Sequence, residues 1–269
     1  MKFNEIYLAV NKELKEVESE LKTITENLSD NSLIKEVFTY FFSSSGKYIR
    51  STLTLLSAKA INNQLPESVN HQLIQLCVGI ELIHNASLIH DDIIDEDLIR
   101  RSQLALNKVY GNKIAILAGD ALYSRAFFIF SDKLPQNFSK AIGKVTEAMS
   151  VSEILNARMT ALNRETYLKI VEKKTALFMS RCCGLGATLA YSNEEDISML
   201  SNYGKNLGIA YQILDDYIDK DPVARKNITI DEAFKFAYNA KDSIKNIKSS
   251  IYTESLIKLV DYVLDSYTE

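Results

Sequence analysis

A chain of 269 residues with a formal net charge of −4 can bury one large core, and it carries no global excess of positive charge that would argue for nucleic acid. Only 3 Pro and 9 Gly are spread along it, so breakers are few and no linker-like segment divides it. Its cysteines, Cys77, Cys182 and Cys183, lack CxxC spacing and lie in apolar segments, which reads as packing thiols in a reducing cytoplasm rather than as a disulfide framework.

From the N-terminus, an early acid in Met1-Lys-Phe-Asn-Glu-Ile-Tyr and the lack of a continuous apolar core argue against a signal peptide. Phe3, Ile6, Val10, Leu14, Val17 and Leu21 recur at steps of three and four, the buried stripe of an amphipathic first helix. The same period predicts helices at about 32–43, 49–63, 67–96, 101–108, 112–131, 136–158, 164–191, 195–219 and 229–246. A last helix follows from Leu256, Leu259, Val260, Val263 and Leu264. Asn62 to Pro66, Lys133-Leu-Pro135 and Asp221-Pro222 mark loops. No stretch approaches the ~18 consecutive apolar residues of a membrane span, so none is expected. Sustained strand alternation and internal repeats are also missing, and the expectation is one all-α domain.

Two clusters of the form Asp-Asp-x-x-Asp break the apolar pattern, at Asp91, Asp92 and Asp95 and again at Asp215, Asp216 and Asp219. On a helix the first and last aspartate of each project from one face about 5–6 Å apart, where like charges repel and call for a cation. The flanks, Val78 to His90 and Leu207 to Leu214, are too apolar for a solvated face. Magnesium takes oxygen ligands and is held by a few carboxylates, waters and substrate phosphates. Two such clusters therefore point to a diphosphate held through Mg²⁺. Cations stand where that anion needs them: Lys47 and Arg50 in Ser45-Gly-Lys-Tyr-Ile-Arg50, at a loop-to-helix boundary, and Arg100-Arg101 just after the first cluster.

In order along the chain these motifs resemble those of trans-type isoprenyl diphosphate synthases of the polyprenyl synthetase family. Ser45 to Arg50 resembles the family's Gly-Gly-Lys-Arg-x-Arg, Glu81 to Arg101 its first aspartate-rich block, and Gly111-Asn112 with Gly119-Asp120 its Gly-Asn…Gly-Asp segment. Lys174-Thr175 and Tyr211-Gln-Ile-Leu-Asp-Asp216 match its Lys-Thr and Phe-Gln-x-x-Asp-Asp elements. The resemblance implies a single isoprenoid-synthase-type helical bundle over 1–269 with a central cavity, working as a homodimer. It implies a Mg²⁺-dependent enzyme that condenses isopentenyl diphosphate with an allylic diphosphate. By the same resemblance Asp91, Asp95 and Asp215 ligate the metal, with Asp92, Asp216 and Asp219 in support. Arg100, Lys174, Thr175 and Gln212 would hold the allylic diphosphate, and Lys47, Arg50, His84 and Arg101 that of isopentenyl diphosphate. His90 is expected to be structural and His71 exposed.

Ala86 and Ser87, one helical turn before Asp91, are small where short-chain relatives carry an aromatic floor. A polyprenyl product longer than fifteen carbons is the expectation, with geranylgeranyl or farnesyl diphosphate as the alternative. The chain departs from the family pattern at Ser45, at Tyr48, at Ser152-Glu153 and above all at about 220–228, where a lysine-bearing segment is shortened or missing. Lys220, Arg225 and Lys226 stand near the lost lysines. Three other readings stay open at this point. A terpene cyclase is opposed by Lys47, Arg50 and Arg101, a catalytically weak regulatory subunit by two intact aspartate clusters, and an HD-type hydrolase by the lack of further spaced histidines.

Overall fold

A computed structural model describes residues 4–44, 46–158 and 163–268. Helix α1 (Asn4–Tyr7) leads through a 3₁₀ turn into α2 (Asn11–Glu26), α3 (Ser32–Phe42), α4 (Ile49–Ile61) and α5 (Glu67–Ile94). A small antiparallel hairpin, β1 (Ile99–Arg100) with β2 (Gln103–Leu104), precedes α6 (Leu106–Tyr110), α7 (Asn112–Lys133) and α8 (Gln136–Arg158). Helix α9 (Arg164–Val171) passes through a π-helical turn (Glu172–Ala176) into α10 (Leu177–Leu189); α11 (Glu194–Ile218), α12 (Pro222–Asn227), α13 (Ile230–Ser243) and α14 (Ile251–Thr268) follow. The all-α expectation holds. Starts are set by side-chain caps: Asn31 accepts from Leu33 N, Asn163 from Thr166 N, Asn193 from Asp196 N, and Asp221 caps α12 ahead of Pro222.

Two compact units make up the chain. One comprises residues up to Asn11, Thr52–Leu73 and everything from Lys140 onward. Its centre is α11, which buries Leu200, Tyr203, Leu207, Ile213 and Leu214 and packs on α10 and α13. Each such side chain contributes ~1.5–3 kcal/mol of apolar burial. Tyr203 lies wholly inside and donates to Leu256 O at 2.7 Å. Ile6 and Val10, at the start of the chain, pack with α14, whose Leu256, Leu259 and Val260 are fully buried. The other unit comprises Lys12–Ser51 and Ile74–Ser139. There the α2 stripe of Leu14, Val17 and Leu21 is buried, and so is the length of α5 leading to the first aspartate cluster.

Three local expectations change. The segment 101–108 is not one helix: Arg101 and Ser102 turn the hairpin with φ of 51° and 65°, and only Leu106 onward is helical. Tertiary bonds override helical period here, because Leu104 O accepts from Tyr40 Oη at 2.9 Å and Leu98 O from Ala105 N at 2.9 Å. The helix expected over 164–191 contains the π turn at Glu172–Ala176. The stretch after the second cluster is not bare loop, since α12 occupies 222–227.

Although no unbroken run of ~18 apolar residues exists, α5 and α7 are long and apolar enough by composition to cross a membrane. Scattered charges such as Glu81 and Arg125 break the runs without lowering the mean hydropathy much. The apolar window of α5 is 78% buried, as in a core helix, whereas that of α7 is 39% buried. The three cysteines are free thiols and all are buried.

Candidate active site

Both aspartate clusters sit at helix C-termini. Asp91 and Asp92 occupy the last turn of α5 and Asp95 the residue after it; Asp215 and Asp216 occupy the last turn of α11, which Asp219 caps. Neither helix carries a basic residue in that turn. A carboxylate at the negative end of a helix dipole is doubly disfavoured, so each end calls for positive charge from elsewhere.

The three aspartates of each cluster divide by burial. Asp92 is 1% exposed, while Asp91 is partly buried and Asp95 exposed. The Asp92 Oδ1 accepts from Arg100 Nε at 2.6 Å, and Arg100 also reaches Asp97 at 2.8 Å. Burial pushes the Asp92 carboxyl above the usual carboxylate range, against the opposing pull of Arg100. The middle aspartate thus anchors an arginine, and the outer two are left on the accessible side. In the second cluster Asp216 is the inward one, and Asp215 and Asp219 are exposed.

Around α5 the structure gathers several residues named from the sequence. Arg50 Nη1 lies 3.2 Å from His84 Nε2; arginine only donates, so Nε2 accepts and the imidazole proton resides on Nδ1. That Nδ1 is buried without a hydrogen-bond partner among the described residues. Burial first, then Arg50, Arg101 and Arg100, hold the imidazole well below its ordinary pKa, so it is neutral and presents one N–H donor. Arg101 donates to Asn85 Oδ1 at 3.1 Å and to Ser44 O at 3.3 Å. Gly46 admits this guanidinium, because a Cβ there would stand 2.8 Å from Arg101 Nη2. Lys47 is exposed beside it in sequence, and Ser45 lies outside the described residues.

Beneath them Glu81, 3% exposed, accepts from Ser51 Oγ at 2.7 Å and Ser51 N at 3.2 Å, and burial raises its pKa. Arginines, a neutral imidazole donor and a nearby lysine form a set suited to phosphate oxygens. Five and six residues further along α5, Ala86 is fully buried and Ser87 donates to His84 O at 2.8 Å. His90 packs on α7, with Nε2 3.2 Å from Ile116 O, and His71 is exposed.

In the other unit the π turn carries Lys174 and Thr175. Thr175 Oγ1 donates to Gln212 Oε1 at 2.6 Å, and Gln212 Nε2 donates to Asp216 Oδ1 at 2.8 Å. Tyr167 on α9 donates to Asp216 Oδ2. Burial raises the Asp216 pKa, opposed by these two donors and by Lys174. Lys174 Nζ stands 2.9 Å from Glu153 Oε1. Close approach makes the network possible: a Cβ on Gly208, one turn before Gln212, would lie 2.6 Å from Ala176 Cα in the π turn. Of the basic residues after the second cluster, Arg225 is engaged by Tyr217, donating to its carbonyl at 3.2 Å and lying over its ring.

Sequence reasoning gave no role to Glu81, Asn85, Glu153 or Tyr167. Nothing in spacing could have found the last, since Tyr167 stands 49 residues from Asp216. The carboxylates themselves make no ready metal cage: among the described residues no group of three or more His, Cys, Asp or Glu is placed to hold an ion. The exposed Asp95, Asp215 and Asp219 are carboxylate oxygen donors, the donor type that Mg²⁺ takes alongside water and phosphate.

Residues 31–227 match the family described as polyprenyl synthetase. Decaprenyl-diphosphate synthase of Dictyostelium discoideum is 32% identical over 232 residues, covering 81% of this chain and 50% of that protein. Geranylgeranyl diphosphate synthase of Methanosarcina mazei is 35% identical over 189 residues, covering 67% of this chain and 56% of the relative. The chain thus spans only about half the length of these relatives. The crystal structure of a polyprenyl synthase from Caulobacter crescentus, complexed with calcium and isoprenyl diphosphate, superposes with a TM-score of 0.86 at 20% identity, covering 98% of this chain and 97% of that one. The fold is therefore the helical bundle of isoprenoid synthases. With its match running from ahead of the first motif to beyond the second aspartate cluster, the chain belongs to the polyprenyl synthetase family.

Proposed function

We propose that the chain is a Mg²⁺-dependent prenyltransferase that joins isopentenyl diphosphate to an allylic diphosphate and releases a product longer than farnesyl diphosphate. The observation that carries this reading is the grouping of Arg50, His84 and Arg101 around α5, next to an aspartate cluster whose outer carboxylates are accessible. Lys47, Arg50, His84 and Arg101 bind the isopentenyl diphosphate, and the neutral His84 donates its Nδ1 proton to a phosphate oxygen. Arg100, Lys174, Thr175 and Gln212 hold or line the site of the allylic diphosphate. Asp91, Asp95 and Asp215 are the proposed carboxylate ligands, with Asp92 and Asp216 fixed inward as supports. When bound, Mg²⁺ neutralises the charge that grows on the leaving diphosphate.

Pinning both substrates by their charged ends aligns the isopentenyl double bond with the allylic carbon. The allylic C–O bond breaks, the double bond attacks that carbon to form the new C–C bond, and a proton leaves the product for the released diphosphate. Ala86 and Ser87, one turn before Asp91, are small side chains, which supports the longer product; relatives with both decaprenyl and geranylgeranyl names fit the family's range.

A homodimer is part of the proposal. Ile114, Leu117, Ala121 and Phe128 share one face of α7 at steps of three, four and seven, and Leu117 is 63% exposed. To test the activity, purified protein is given Mg²⁺, labelled isopentenyl diphosphate and a panel of allylic starters, with products sized by chromatography. Asp91→Ala and Asp215→Ala should each lower condensation by at least about a thousandfold with helicity unchanged. Near-normal turnover in either variant would remove that aspartate from the mechanism.

A further inference from the structure

The second aspartate cluster raises a problem that its own residues do not solve. Asp215, Asp216 and Asp219 lie within about one helical turn, and three carboxylates so close would compete for one cation in several alternative arrangements. In the structure the middle one is withdrawn from that competition. Its Oδ1 accepts from Gln212 Nε2 and its Oδ2 from the Tyr167 hydroxyl, so each oxygen has a donor supplied from within the unit. Gln212 cannot turn its amide over, because Oε1 would then face the Asp216 carboxylate oxygen, an acceptor against an acceptor, while the Thr175 hydroxyl donates to Oε1 at 2.6 Å. Donation therefore runs one way, from Thr175 through Gln212 to Asp216, and Tyr167 closes the chain from the opposite side.

We propose that Tyr167 is a positioning residue: its hydroxyl locks Asp216 inward and thereby leaves the exposed Asp215 and Asp219 as the carboxylates that the second cluster offers to a metal-bound diphosphate. Tyr167 suits the task. It is 4% exposed and α9 is anchored at its start by the Asn163 cap, so the ring has little freedom to follow a moving carboxylate. Burial and the neighbouring Asp216 keep its phenol above the ordinary tyrosine range, so it stays a donor. Because the π turn places Thr175 at the far end of the same chain and Lys174 beside it, a change at Tyr167 also reaches the residues assigned to the allylic diphosphate. The inference rests on the prenyltransferase reading for the identity of the ligand.

Its test uses binding, which does not require turnover. Binding of Mn²⁺ to the full chain in the presence of inorganic pyrophosphate is measured by electron paramagnetic resonance, for wild type, Tyr167→Phe, Asp216→Asn and the double variant. Tyr167→Phe should weaken Mn²⁺ binding by about 10–100-fold, the range for loss of a partner that orients a ligand, at unchanged helicity. In the double variant the two losses should not add, since Asp216→Asn weakens the same hydrogen bond that Tyr167→Phe removes. KM for isopentenyl diphosphate should be unmoved. Unchanged Mn²⁺ affinity in Tyr167→Phe, strictly additive losses, or a binding loss that merely tracks lost helicity would each overturn the role, while wild-type condensation would leave the function standing. A wild-type chain that binds Mn²⁺ and pyrophosphate as expected but joins no substrates would overturn the activity and leave the positioning role intact. No Mn²⁺–pyrophosphate binding by wild type would overturn both.

Discussion

At the scale of single residues, the acidic clusters show how one motif divides its labour. Asp92 and Asp216, the second residue of each, point inward to Arg100 and to Tyr167 with Gln212, whereas the exposed positions are Asp95, Asp215 and Asp219. Helical geometry accounts for the division, since neighbours in sequence are turned about 100° apart and cannot face the same way. The cationic group is equally specific. Arg50 meets His84, which the family resemblance assigned to the isopentenyl site, so Arg50→Ala should raise the KM for isopentenyl diphosphate by about a hundredfold and that for the allylic starter by less than about threefold. Steady-state kinetics with each substrate varied in turn checks this, and equal rises would place Arg50 outside the isopentenyl site. The aspartates and arginines were legible because their type and spacing already state their chemistry. Tyr167, Glu153 and Glu81 were not, because a tyrosine or glutamate in a helical pattern has no chemical signature until folding brings its partner alongside.

Among the elements, α5 carries the largest share of the functional residues, and the helix expected over 67–96 is observed over 67–94. Product length is a question about this helix and its neighbour. Ala86 lies five residues before Asp91, and Gly79 twelve residues before it, about 18 Å along the axis at 1.5 Å per residue. The ring of the fully buried Phe130, from α7, covers Gly79 so closely that a Cβ there would stand 2.6 Å from it. Ala86→Phe should shorten the products at an unchanged rate of the first condensation, and Phe130→Ala should lengthen them. Sizing the products of both variants against wild type decides it; an unaltered distribution in both would show that this side of α5 does not border the growing chain. The hairpin at Ile99–Leu104 was misread because cross-strand pairing and the Tyr40 bond, set by residues some sixty positions earlier, decide its form. The π turn escaped detection for a related reason, since a single inserted residue leaves the apolar period on both sides nearly intact.

On the scale of the whole molecule, the exposed stripe on α7 carries the question of assembly. An apolar helix face with Leu117 and Phe128 more than half exposed is a poor surface for an isolated chain in water. Leu117→Asp should therefore shift the protein from dimer to monomer without loss of helicity, read by light scattering behind a sizing column. A wild-type monomer at micromolar concentration would contradict the assembly proposed here. The division of the chain into two units has a further consequence, for the order of events at the ribosome. The unit made of Lys12–Ser51 and Ile74–Ser139 has all its residues once Ser139 has emerged. Its counterpart includes Ile6 and Val10, which pack with α14, an element made well after Ser139. Nascent chains halted once Ser139 has left the exit tunnel should thus hold the isopentenyl-side arginines already in place, while the segment Thr52–Leu73 still awaits its core.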